Sequence, residues 1–166
     1  MRADGSFIVE GADIRWLNFG GRVRDFNPNG DRTFCLFIDS DLANQLRRDD
    51  YNVKMTKPRK DATRDEIEDF VPESYIEVKV GYKIHPPRIT MRGDTTGKVT
   101  ELTEENVDLL DEVEIVNVDV IVRPREFDIN GKQGIKAYLK RAVVVIEEDF
   151  LDLKYARIDE EMGVNA

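Results

Sequence analysis

The chain has one cysteine, Cys35, and one histidine, His85, among its 166 residues. A single thiol excludes an intramolecular disulfide framework and any multi-cysteine metal site, and it suits a reducing compartment. A single imidazole, lying just before Pro86-Pro87, leaves a histidine-based triad or a multi-histidine metal centre without its residues. No apolar run approaches the ~20 residues of a membrane helix, and the opening Met1–Ser6 stretch lacks the apolar segment of a signal peptide. An intracellular protein free of the membrane is therefore expected. Glycine-rich phosphate loops of the Walker or dinucleotide type are missing as well. With 40% hydrophobic and 36% charged residues, the chain can bury a core under a charge-dense surface, as one domain.

The formal net charge of −9 argues at first against an anionic ligand, but the charges are segregated. Residues 1–100 are balanced. Residues 101–119 carry Glu101, Glu104, Glu105, Asp108, Asp111, Glu112, Glu114 and Asp119 with no base, whereas 120–146 are basic and 147–166 acidic again. A local field depends on where charges sit, so a basic face remains possible on an acidic protein.

Strand signals dominate. Ala12–Phe19 approaches alternation, which places Ala12, Ile14 and Trp16 inward. Asn27-Pro28-Asn29-Gly30-Asp31 is a cluster of turn formers, and Thr33–Ile38 is an apolar run of buried-strand length. Phe34, Phe37 and Cys35 are expected in the core. Asp39 or Ser40 can cap a helix reaching Arg48, with Leu42, Ala43 and Leu46 on its apolar side. Asn52–Lys57 alternates, and residues 58–72, charged and bounded by proline, predict a mobile surface loop. Tyr75–Ile84 is the cleanest strand pattern, with Ile76, Val78, Val80, Tyr82 and Ile84 on one face. Ile89 and Met91 face inward in a following short strand, and Thr103-Glu104-Glu105 opens an acidic helix or turn. Glu112–Arg125 is a valine-rich strand; Asp128-Ile129-Asn130-Gly131 predicts a tight hairpin returning through Gly134–Ile146. Short strands with one or two helices and no repeat predict a small antiparallel β-barrel or sandwich: one domain over 1–146 and an acidic tail over 147–166.

The polar faces of these strands share one chemistry. Tyr75, Lys79 and Lys83 lie on one, Arg88 and Arg92 on the next, Arg123 and Arg125 with Phe127 on the long strand, and Lys136, Tyr138 and Lys140 on its return, after Lys132. Lys54, Lys57 and Arg59 belong to the same set, and Phe19, Arg22, Arg24, Phe26 and Arg32 border the first turn region. Cations track phosphates and flat rings accept unstacked bases, so this interleaving suits single-stranded nucleic acid. Acid pairs such as Asp39/Asp41 and Asp108/Asp111 suggest Mg²⁺ ligands of a nuclease, but a helix cap and a solvated acidic face account for them better. The tail residues Glu147, Glu148, Asp149, Asp152, Asp159, Glu160 and Glu161 allow three roles: solubility, competition with DNA for a basic groove, or recruitment of partner proteins.

Taken in order, Asn18-Phe19, Gly21-Arg22, Phe26-Asn27, Gly30-Asp31-Arg32-Thr33-Phe34, Asn52-Val53-Lys54, Lys57-Pro58-Arg59, Pro86-Pro87-Arg88-Ile89, Val118–Pro124, Asn130-Gly131-Lys132 and Gly134–Lys140 resemble the single-stranded DNA-binding proteins of tailed bacteriophages. That resemblance spans roughly residues 7–156. It implies a mainly β protein with minor α, an OB-fold-like antiparallel barrel with one or two short helices. It also implies a non-enzymatic function without cofactor or metal: coating single-stranded DNA during phage replication and recombination, with little sequence preference, in the cytoplasm of the infected host. Partners implied are single-stranded DNA and, through the acidic tail, replication or recombination proteins. The tail ends Gly163-Val164-Asn165-Ala166, unlike the Asp-Phe-Pro-Phe-like ending of bacterial counterparts. A phage structural or assembly β-barrel is the alternative, and monomer and homodimer both stay open.

Overall fold

The computed structural model describes residues 4–148, so the tail beyond Glu148 lies outside the described residues. The chain opens with two short strands, Phe7–Val9 (β1) and Asp13–Asn18 (β2), then Thr33–Ile38 (β3), the helix Ser40–Arg48 (α1) and Lys54–Met55 (β4). A helix Arg64–Asp69 (α2) precedes Ser74–Lys79 (β5), Arg88–Gly93 (β6) and Val99–Leu102 (β7). A 3₁₀ turn over Val107–Asp111 then leads into the two long strands, Ile115–Ile129 (β8) and Lys132–Ile146 (β9).

The sheet follows the path β1-β8-β9-β5-β3-β2, with β4 on β5 and a β6–β7 ribbon on β9. Its two ends are consecutive pieces of chain. Gly11 turns between them at φ +56°, its N–H donating to the Asp119 carboxylate at 2.8 Å, and Ala12 N–H donates to the Val118 carbonyl at 2.7 Å. The path thereby curls back on itself into an OB-like, incompletely closed barrel. Its interior holds Phe34 and Leu36 of β3, Ile76 and Val78 of β5, Val118, Val120 and Val122 of β8, and Leu139 and Val144 of β9. Each such side chain contributes about 1.5–3 kcal/mol through burial. Asp39 caps α1 by accepting from Leu42 N–H at 2.8 Å, and Ala43 and Leu46 are buried as the pattern predicts. The hairpin turn is as expected: Asn130 and Gly131 take φ +53° and +81°, and Ile129 faces Lys132.

Five expectations are corrected. The pairing is not wholly antiparallel, because β5 and β6 both run parallel to β9. Residues 58–72 are not all loop. Thr63 Oγ1 accepts from Glu66 N–H at 3.2 Å, and that Thr-x-x-Glu cap starts α2. The strand expected to reach Ile84 stops at Lys79, and Ile84 is exposed. Trp16 is 60% exposed rather than core. A bulge between Arg15 and Asn18 puts it at φ +54°, breaking the alternation that would have turned it inward. Thr90, which alternation with inward Ile89 and Met91 puts outward, is buried and its hydroxyl donates to Glu101 at 2.9 Å.

Candidate nucleic-acid interface

Strands β5 and β6 occupy successive stretches of the same edge of β9. Lys79 pairs with Tyr138 and Arg88 with Arg141, so Leu139 and Lys140 have no strand partner on that edge. Between them the chain leaves the sheet over residues 80–87, where Pro86 and Pro87 have no N–H to give a ladder. This excursion walls a hollow of about 880 Å³, whose lining includes Arg32, Lys79, Tyr82, Lys83, Arg123, Arg125 and Tyr138. A second hollow of about 300 Å³ adjoins it at Lys79 and includes Lys54, Phe127 and Lys136.

Strand register explains the gathering. Arg123 faces Tyr138, and Arg125 faces Lys136, across β8 and β9, while Tyr138 faces Lys79 across β9 and β5. Residues opposite one another on neighbouring strands project from the same face. Cations sit over rings inside this surface: Arg125 over Tyr138 at 5.4 Å, Lys136 over Phe127 at 5.3 Å and Arg32 over Tyr82 at 5.4 Å. Two glycines make room for the rings. A Cβ on Gly81 would stand 3.1 Å from the Tyr138 ring, and one on Gly134 would stand 2.8 Å from that of Phe127. Arg123 also donates to the His85 carbonyl, tying the 80–87 excursion to β8.

Several of these cations face carboxylates across the groove. Lys79 lies 3.8 Å from Asp31, Lys54 3.8 Å from Glu77, and Arg32 4.0 Å from Glu104. Lys140 bonds Asp4 at 2.9 Å, and that contact, with hydrogen bonds from Ser6, holds the Asp4 carboxyl far below the usual range. Lys83, Arg123, Arg125 and Lys136 carry no carboxylate partner among the described residues.

Nine of the residues expected from sequence thus come together: Arg32, Lys54, Lys79, Lys83, Arg123, Arg125, Phe127, Lys136 and Tyr138. Tyr75 neighbours them, pairing with Lys54 and stacking on Phe37 at 5.1 Å. Trp16 meets Phe37 and Tyr75 edge-on at 5.3 and 5.2 Å, so this aromatic patch continues the face. Phe26, 85% exposed, with Arg22 and Arg24, stands on the turn-rich segment before β3. Lys57 and Arg59 lie before α2, where Arg59 faces Asp61 and Glu66. Arg88 and Arg92 belong to the β6–β7 ribbon, and Arg88 is bound to Glu101. Lys132 is at the hairpin tip, outside both hollows.

Phe19 is a correction: it is buried and stacks on Phe34 at 5.4 Å, because Phe19 and Gly20 N–H both donate to the Asp111 carboxylate at 2.8 Å, pulling the chain end of β2 over the core. Asp111 and Asp39 are therefore committed to backbone N–H groups, and no cluster of three metal-ligating side chains occurs among the described residues. Cys35 is half-buried rather than fully buried; desolvation and Glu77 push its thiol up to about 11, leaving it protonated and unreactive. Tyr82 packs partly buried against the core, as expected, and also lines the groove.

A family described as "Putative phage ssDNA-binding domain" matches residues 2–164. The chain belongs to this phage single-stranded DNA-binding family. Two solved structures are similar to it, both of the single-stranded DNA-binding protein from bacteriophage Enc34. One, a C-terminal truncation, has a TM-score of 0.50 and 12% identity over 89% of this chain and 88% of that one. The other, in complex with ssDNA, has a TM-score of 0.50 and 12% identity over 89% of each chain. At that identity the likeness is one of fold, and it agrees with the family's expected OB-like architecture. No curated protein matches the chain in sequence. As a member of the phage ssDNA-binding family, the protein has single-stranded DNA as its ligand class, and the charge segregation leaves its groove cationic.

Proposed function

We propose that the protein coats single-stranded DNA during phage DNA replication or recombination, holding it along the groove bounded by β8, β9, β5 and the 80–87 excursion. The observation that supports this most is the in-register row Lys79–Tyr138–Arg123, flanked by Arg125, Lys136 and Phe127. Arginine and lysine side chains neutralise phosphates, and Tyr138 and Phe127 offer faces to unstacked bases, each worth about 1–3 kcal/mol. Arg22, Arg24, Phe26 and Tyr75 extend the contact at the two ends, and the solved complex of the Enc34 protein with ssDNA supports the reading by analogy of fold. The mechanism is binding without bond-making, so the groove needs neither cofactor nor metal. Recruitment of replication or recombination proteins falls to the acidic tail, in the host cytoplasm.

Fluorescence anisotropy with a labelled oligo-dT at about 50 and 300 mM salt, with duplex alongside, tests this. Each neutralised phosphate of a single strand contributes about −0.7 to the log–log salt slope, so the four cations without a carboxylate partner among the described residues alone give a slope near −2.8 and a loss of roughly 150-fold across that range. Absence of binding at low salt by the full chain and by a chain lacking residues 149–166 would overturn the proposal.

A further inference from the structure

Trp16 is the chain's one tryptophan, and the backbone is strained where it places that ring outside. Ile14 packs against the core and Arg15 faces Cys35, so simple alternation would send Trp16 inward after Arg15. The bulge that follows Arg15 instead leaves Trp16 at φ +54°, and bulges re-aim side chains in this way. A bulky residue at positive φ is an outlier, and such strain gathers at ligand-binding positions. The outcome is a large flat ring that is 60% open to solvent.

The ring is held in place from below. It meets Phe37 at 5.3 Å and Tyr75 at 5.2 Å, both edge to face, and those two rings stack on each other at 5.1 Å. The Arg15 guanidinium covers the Phe37 ring at 3.8 Å and is itself bound by Asp13 and Glu73 at 2.8 and 2.9 Å. With two carboxylates on Arg15, the patch offers a stacking surface and not a phosphate clamp. It shares a face with the groove. Ile76 and Val78 of β5 are buried, so Tyr75 and Lys79 point outward together. Lys79 lies opposite Tyr138, while Tyr75 lies opposite Phe37 on one side and Lys54 on the other. From Arg123 on β8 to Trp16 on β2 the sheet path crosses β9, β5 and β3, four strand spacings or about 19 Å.

We propose that Trp16 is a base-stacking platform at the end of the DNA track opposite Arg123, an inference that rests on the ssDNA-binding reading and deepens it. The strand leaves the groove past Lys79 and Lys54, which both line its smaller hollow, crosses β5 and β3, and lays one base on the exposed Trp16 ring. Every base has a π-face, so an indole platform adds affinity without adding sequence preference. Fixed by Phe37 and Tyr75 before the ligand arrives, the ring gives up little freedom on binding.

A single tryptophan makes the test direct. Labelled oligo-dT is titrated against the full chain at low salt, with the label read by anisotropy and Trp16 by its intrinsic emission. The expected result is quenching that follows the anisotropy to the same saturation point, with the bound tryptophan shielded from acrylamide. Trp16→Ala should weaken binding by about 5- to 150-fold with the salt slope unchanged, since stacking releases no counterions. Trp16→Phe keeps a ring and should bind within about threefold of the wild type. Far-UV circular dichroism of both variants checks the fold; if Trp16→Ala does not fold, the wild-type emission decides. Binding seen by anisotropy with unaltered emission and acrylamide access, or a folded Trp16→Ala that binds as the wild type does, overturns the platform and leaves the groove reading standing. Absence of binding at low salt overturns both.

Discussion

Neutralising the carboxylates that face the groove cations should tighten DNA binding. Asp31 lies 3.8 Å from Lys79 and Glu104 lies 4.0 Å from Arg32, both acids at least half exposed and neither pair within hydrogen-bonding distance. A phosphate arriving at either cation comes within about 6 Å of the carboxylate, where two unit charges in water repel by roughly 0.7 kcal/mol. Screening with a Debye length of about 10 Å at 0.1 M salt removes part of this. The double change Asp31→Asn and Glu104→Gln is therefore expected to raise affinity about five- to tenfold at low salt. The salt slope should steepen too, because two cations freed from internal partners each add about −0.7. Anisotropy with oligo-dT across a salt series reads both quantities. The control neutralises Asp65 and Glu68, exposed acids of α2 outside the groove, and should change affinity by less than about twofold at 0.1 M salt, where distant charges are screened. Unchanged or weaker binding by the groove double variant would refute the reasoning. The carboxylates would then be holding the cations in position rather than opposing the ligand.

Tyr138→Ala should lower oligo-dT affinity by about 5- to 150-fold without changing the salt slope, whereas Arg125→Ala should flatten the slope by about 0.7, a separation of stacking from phosphate contact that one titration series measures. Phe19→Ala should destabilise by about 3–5 kcal/mol in urea titrations, while Phe26→Ala should leave the unfolding midpoint unchanged, since its ring is 85% exposed. Glu101 is held below the ordinary carboxylate range first by the Thr90 hydroxyl, and Glu148 first by the Thr96 N–H. A depressed folded pKa gives stability that is present above the unfolded value near 4.3 and lost as pH falls through the folded one. Urea midpoints should accordingly drop as pH falls below the unfolded value near 4.3, and less steeply in Glu148→Gln.

How much of this was legible in the sequence depends on whether neighbours along the chain decide the outcome. Asn130-Gly131 and the Asp39 cap are local chemistry, and both appear where the sequence puts them. The alternation of Lys136, Tyr138 and Lys140 against Ile135, Ala137 and Leu139 gave the groove face on β9 because a pleated strand allows little else. Trp16 and Phe19 were misread for the opposite reason. The bulge that turns Trp16 outward, and the Asp111 carboxylate that draws Phe19 inward, are set by residues far away in sequence. The pairing of Arg32 with Tyr82 likewise arises only once β3 and β5 run side by side, and Tyr51 comes beside β9 only through its bridge to Ile135. Pro86-Pro87 was visible as a stop; that it opens a hollow between two strands on one edge was not.

That interruption has a bearing on how such a protein can change. One wall of the hollow is a connector, residues 80–85 of it, facing the 29–32 turn and the Arg123–Arg125 stretch of β8, so part of its width depends on the residues spent between Lys79 and Arg88. Beyond Val80 and Tyr82, which pack on the core, lengthening or shortening that connector remodels the trough while β5, β6 and β9 keep their register. Relatives could therefore diverge in the length and shape of strand they accept at little cost to folding, with variation concentrated in residues 80–87 and the barrel beneath acting as an unchanging chassis.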